Sequence, residues 1–94
     1  MHQRPTTKEL TVLVVDENDQ MRTIIREFLE KEGFTVLAAS KAVEATRIAD
    51  TYPGGVDMIL TEVRLPDMDG TELAGRLFLA RPKLRLLLMT TGVG

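Results

Sequence analysis

Apolar positions fall along this chain in short runs separated by longer amphipathic stretches. Residues 10–15 (LTVLVV) form a Val- and Leu-rich run that stops at Asp16, the pattern of a strand buried on both faces of a parallel sheet. Beyond it Met21, Ile24, Ile25, Phe28 and Leu29 recur at helical spacing, which lays one apolar stripe along a helix. Arg22, Arg26, Glu27, Glu30 and Lys31 fill its other face. Asn18 or Asp19 stands where the helix needs a cap, and Gly33 where a helix takes a left-handed residue at its end. Residues 34–39 read as a second strand. Ser40 then caps a second helix running from 41 to about 51, with Val43, Ala45, Ile48 and Ala49 offered to the core. Residues 52–55 (YPGG) stop it by turn chemistry. Residues 56–61 (VDMILT) predict a third buried strand, followed directly by Glu62. Residues 65–70 (LPDMDG) are a loop. A third helix follows over about 71–81, with Leu73, Leu77 and Phe78 inward and Pro82 closing it, and residues 84–89 form a fourth strand.

The order is βαβαβαβ. Each crossover is long enough to hold a helix, so the sheet is expected to be parallel with right-handed connections. A length of 94 residues fits one domain. It divides into a flexible leader, residues 1–9, and a folded part, residues 10–94, with no internal repeat.

Composition narrows the chemistry. The chain has no Cys and one His, at position 2, which excludes disulfides, thiolate chemistry and a multi-histidine zinc site. The net charge is -2, with 12 Lys+Arg against 14 Asp+Glu, which argues against nucleic-acid binding by bulk electrostatics. The apolar runs are too short for a membrane span, and the polar start lacks the core of a signal peptide. The default expectation is a cytoplasmic protein that by itself binds neither membrane nor nucleic acid.

Chemistry on an open parallel sheet gathers at the carboxyl ends of the strands. Those ends carry Asp16 and Glu17 after the first strand, Glu62 after the third, and Thr90 with Thr91 after the fourth. If the first and third strands adjoin, their ends lie about 5 Å apart. Three carboxylates would then share one crevice, where like charges need a cation, and an all-oxygen donor set suits Mg²⁺. A Thr90 hydroxyl would face the same crevice. A plainer reading stands beside this one: acids follow strands because loops are exposed, and Asp16 or Asn18 only caps the next helix.

Three segments together carry a family resemblance. They are residues 13–18 (LVVDEN), 57–70 (DMILTEVRLPDMDG) and 86–90 (LLLMT). They resemble the receiver domain of bacterial two-component response regulators over residues 10–94. The resemblance implies a three-layer, flavodoxin-like α/β fold with a parallel sheet of strand order 2-1-3-4 over the part present. It implies that Asp16 and Glu17 hold Mg²⁺, with Glu62 and the main-chain carbonyl of Arg64 as further ligands. It gives Thr90 the hydroxyl that hydrogen-bonds a phosphoryl group and couples it to a switch, and it gives Pro66 and Gly70 the shaping of the loop. The implied partner is a histidine kinase or another signalling protein.

Two departures from the family pattern stand out. Glu62 occupies the place of the phosphoaccepting Asp, and its extra methylene pushes the carboxylate toward the ground a phosphoryl group and Mg²⁺ would use. The sequence also stops at Gly94, before the fourth helix, the fifth strand with its Lys, and the fifth helix, so the receiver reads as incomplete. Thr91 further replaces the small residue usual after Thr90. The expected function is therefore a degenerate receiver module that acts by protein–protein interaction, with little or no phosphoacceptance and no catalytic turnover. A working receiver phosphorylated by a histidine kinase is the alternative, and a Mg²⁺-dependent phosphohydrolase ranks below both. The unpaired, apolar fourth strand is expected to favour association, including a homodimer.

Overall fold

A computed structural model describes residues 9–90. Seven elements alternate: β1 (Thr11–Val15), α1 (Asp19–Lys31), β2 (Thr35–Ala39), α2 (Ala42–Thr51), β3 (Met58–Glu62), α3 (Gly70–Ala80) and β4 (Arg85–Met89). The expected leader, apart from Glu9, and Thr91 lie outside the described residues.

All four strands are parallel, in the order β2-β1-β3-β4. This is the flavodoxin-like arrangement that the resemblance implied. β1 is central, with Leu13 opposite Leu37 on one side and Ile59 on the other. Its five residues are all buried, which is why it reads as an unbroken apolar run rather than an alternating one.

Side chains alternate across the sheet, so the two faces build separate layers. Leu13, Val15, Ala39 and Ile59 join Ala42, Ala45 and Ala49 of α2 and Leu73 and Leu77 of α3 in one core, closed below by Leu84. The alanines of α2 carry almost no side chain, so that helix lies close on the sheet. Full burial of a side chain such as Leu13 or Ile59 contributes about 1.5–3 kcal/mol. At the far end of this layer Arg81 donates to the Ala49 carbonyl (2.9 Å) and to Asp50 (2.8 Å), joining the ends of α2 and α3.

Among the described residues α1 alone covers the opposite face, and it does so incompletely. None of its residues is buried. Ile24 and Phe28 of its apolar stripe are 60% and 62% exposed. Leu60 of β3 is half-buried and Leu87 of β4 is exposed on the same side of the sheet.

Three local expectations are corrected. Val43 and Phe78 do not face the core but are exposed, because the inward arcs of α2 and α3 are already filled by Ala42, Ala45, Ala49 and by Leu73, Ala74, Leu77. Ser40 is not the cap of α2. The N-cap is Lys41, which supplies no side-chain acceptor, while the Ser40 amide and hydroxyl donate to Glu44 Oε1. By contrast, Asn18 caps α1 by accepting from the Met21 amide at 2.9 Å, and Gly33, at φ 98°, takes the left-handed turn out of it. No helix among the described residues is long and apolar enough to cross a membrane.

Candidate functional site

The carboxyl ends of β1 and β3 form a hollow of about 320 Å³ lined by Asp16, Glu17, Asn18, Glu62 and Arg64. The pairing of β1 with β3 brings these residues together, as expected for adjoining strands.

Asp16 is built into the fold rather than perched on a loop. Its amide donates to the Ala39 carbonyl at 3.1 Å, extending the β1–β2 ladder by one residue. Its own carbonyl accepts from Arg22 Nη1 at 2.7 Å, and the other arm of Arg22 pairs with Asp19. One carboxylate oxygen, Oδ1, accepts from the Asn18 amide at 2.9 Å and turns the chain into α1. The other, Oδ2, is buried and has no hydrogen-bond partner among the described residues, on a residue only 2% exposed. A buried charged acceptor left unsatisfied costs at least about 1–3 kcal/mol, so this oxygen calls for a donor or a cation. Glu17 beside it is exposed.

Glu62 closes β3 opposite Met89 and is half-buried. The peptide after it stays on the ladder, with the Val63 amide donating to the Met89 carbonyl at 3.0 Å. α3 begins directly behind it. The Gly70 amide donates to the Val63 carbonyl at 2.6 Å, and a β-carbon at position 70 would stand 2.0 Å from the Glu62 carbonyl oxygen. Glycine is required there by close approach, not by a left-handed backbone. Between these points the loop doubles back on itself through a bridge of Arg64 with Asp69.

Thr90 follows β4 and does not line the hollow. β4 adjoins β3, which carries Glu62, so the end of β4 stands one strand spacing, about 5 Å, from the Glu62 side of the hollow and two from the Asp16 side. Asn18 does line it, although the sequence pattern marks Asn18 only as a helix cap. Nor do Asp16, Glu17 and Glu62 draw in as one ligand cluster: among the described residues no three acidic side chains converge on a single point.

The donor set nevertheless fits Mg²⁺ in kind. Mg²⁺ keeps several waters and takes one or two protein carboxylates, and the hollow supplies oxygen ligands with one buried carboxylate oxygen already stripped of partners. Arg64 lies on the same rim.

The sequence profile of the response regulator receiver domain matches residues 12–93. The chain belongs to this family. Among curated relatives, the receiver is 32% identical over 80 residues to the sensor kinase CckA of Brucella abortus, covering 85% of this chain and 8% of that protein. It is 33% identical over 79 residues to PhoP of Bacillus subtilis, a transcriptional regulatory protein for alkaline phosphatase synthesis, covering 84% of this chain and 32% of the relative. The chain thus spans a third or less of the length of these relatives. Among solved structures it superposes on the response regulator TrrA of Thermotoga maritima in complex with Mg²⁺ and BeF, with TM-score 0.79 and 25% identity, over 89% of this receiver and 71% of that chain. The protein is a receiver domain of two-component signalling.

Proposed function

We propose that this receiver is a degenerate signalling module, one that engages a histidine kinase or another signalling protein through its surface and takes up little or no phosphate. The observation that carries the reading is Glu62 at the end of β3, lining the same hollow as Asp16 and Glu17. In the receiver pattern that place holds the phosphoaccepting aspartate. Phosphoryl transfer depends on in-line placement and charge, with almost no other help from the protein. A side chain one methylene longer carries its carboxylate past the required point and into the space of the incoming group. Such a carboxylate also sets negative charge deeper into the hollow, as a phosphorylated aspartate would.

Mg²⁺, when bound, would neutralise charge among the acids and on an incoming phosphoryl group. Asp16, Glu17 and the Arg64 carbonyl would hold it. Asp16 is kept in place by the bonds from Asn18 and Arg22, and its free Oδ2 supports this assignment. The CckA relative is named a sensor kinase and PhoP a transcriptional regulator, which supports a partner within a phosphorelay.

The test is incubation with a small-molecule acyl phosphate and Mg²⁺, followed by intact mass spectrometry. The expected spectrum is that of the unmodified chain. A phosphoryl adduct mapped to Glu62 would make this a working receiver instead.

Association through β4 is the second part of the proposal. Among the described residues β4 is one of the two sheet edges, β2 being the other, and Leu87 and Leu88 are 51% and 49% exposed. An apolar edge strand pairs readily with another. Sedimentation velocity on this 94-residue chain is expected to show a mass that rises with concentration and falls on Leu87→Lys substitution. A constant monomer mass would dispose of the homodimer.

A further inference from the structure

The N-terminus of α2 receives its cap from outside its own sequence neighbourhood. The Ala42 amide donates to Asp67 Oδ1 at 2.8 Å, and the Val43 amide donates to Asp67 Oδ2 at 2.9 Å. Helix starts leave several amides without partners, and a cap usually comes from the residue just before them. Here the Lys41 side chain makes no cap bond, and a carboxylate 25 residues beyond Ala42 takes both bonds. The bonds from the Ala42 and Val43 amides hold the Asp67 carboxyl below the usual aspartate range, even though the group is exposed.

Asp67 sits in the middle of the loop that leaves the acidic hollow. That loop runs from Glu62 at the hollow to Gly70 at the start of α3. Its two limbs are tied by the Arg64–Asp69 bridge and by the Gly70-to-Val63 bond. Leu65 and Met68 pack against the core beneath α2 and α3. Between Leu65 and Met68, Asp67 ties the tip to the start of α2 by two hydrogen bonds. The Arg64 carbonyl, assigned above to the cation, lies three residues from that tie.

We propose that Asp67 is a positioning residue for the acidic hollow: by clamping the loop tip to the start of α2 it fixes the peptides of residues 63–66. It touches neither cation nor phosphate and acts through the loop. The part of this inference that concerns Mg²⁺ rests on the reading of the hollow given above. The part that concerns loop order does not.

Amide hydrogen exchange on the Asp67→Ala and Asp67→Asn variants separates positioning from simple helix capping. The Leu13 amide, in the middle of β1, reports global opening. In Asp67→Ala the Gly70 amide is expected to exchange faster by about tenfold or more relative to Leu13, the scale of losing a charge-assisted hydrogen bond. Asp67→Asn keeps one acceptor oxygen, so it is expected to fall between and serves if the alanine variant folds poorly. Mg²⁺ titration calorimetry on the same proteins is expected to show several-fold weaker binding in Asp67→Ala. If the Ala42 and Val43 amides exchange faster while Gly70 keeps its wild-type ratio to Leu13, Asp67 only caps α2 and the proposal is overturned. A wild-type chain that takes up no Mg²⁺ would instead end the cation assignment, and the exchange ratios would still decide the role of Asp67.

Discussion

Gly70→Ala is expected to destabilise the domain by about 1–3 kcal/mol, the usual cost of forcing extra volume into a packed site. The added carbon would stand 2.0 Å from the Glu62 carbonyl oxygen, 3.1 Å from its carbon and 3.1 Å from Thr61 Oγ1. Two of those three atoms are backbone of a strand held on both sides by its neighbours, so the clash cannot be relieved by turning a side chain. Either α3 withdraws and lengthens the Gly70-to-Val63 bond, or the end of β3 shifts and takes Glu62 with it. At roughly 4–8 °C per kcal/mol for a domain of this size, the loss is plain in a thermal melt. Gly75 in the same helix provides the control. It is exposed, and nothing lies within 4 Å of a β-carbon built there. Gly75→Ala is therefore expected to stabilise by about 0.5–1 kcal/mol, through the helix entropy that glycine wastes. Two substitutions of one type, five residues apart in one helix, should move the melting temperature in opposite directions. A neutral Gly70→Ala would contradict the close approach of α3 to Glu62.

The second large effect concerns the cation. With Mg²⁺ at a hundredfold excess over its dissociation constant, the wild-type chain is expected to gain about 2.7 kcal/mol of stability. Asp16→Asn should gain almost none. The substitution keeps the shape of the side chain and an oxygen to accept from the Asn18 amide, the bond now made by Oδ1. It removes the anionic Oδ2, which makes no bond among the described residues, so the metal-free fold loses little. Urea titrations of both proteins, with and without Mg²⁺, give the comparison directly. Equal Mg²⁺-dependent shifts in wild type and variant would place the ion elsewhere.

The fold was readable because its signals are local. Each strand announced itself as a short apolar run, and α1 by a stripe at helical period with Asn18 and Gly33 at its ends, which the structure confirms in both caps. The observed strands differ from the expected spans by two residues or fewer at each end. Errors came where local pattern and tertiary packing disagree. Val43 and Phe78 are apolar and sit at plausible spacings, yet smaller or better placed neighbours took the inward positions. Ser40 stands where a cap is expected, yet its hydroxyl is turned to Glu44.

At the site the division is similar. Acids at strand ends can be read from order alone, so Asp16, Glu17 and Glu62 were candidates before any coordinates existed. Nothing in their spacing says that Asp16 is buried with one bare oxygen while Glu17 is exposed, or that Asn18 joins the lining of the hollow.

By itself, then, the order of residues determined the alternation of strands and helices, the caps of α1, and the acids delivered to the strand ends, because hydrophobic period and capping are set by residues within a turn or two of one another. Only the tertiary structure decided that α2 borrows its cap from Asp67, that position 70 has no room for a side chain, and that Ile24 and Phe28 of the α1 stripe stay exposed. The cap joins residues that stand 24 and 25 positions apart in sequence, the close approach sets the start of α3 against the end of β3, and all three depend on how whole elements pack, which no short stretch of chain encodes.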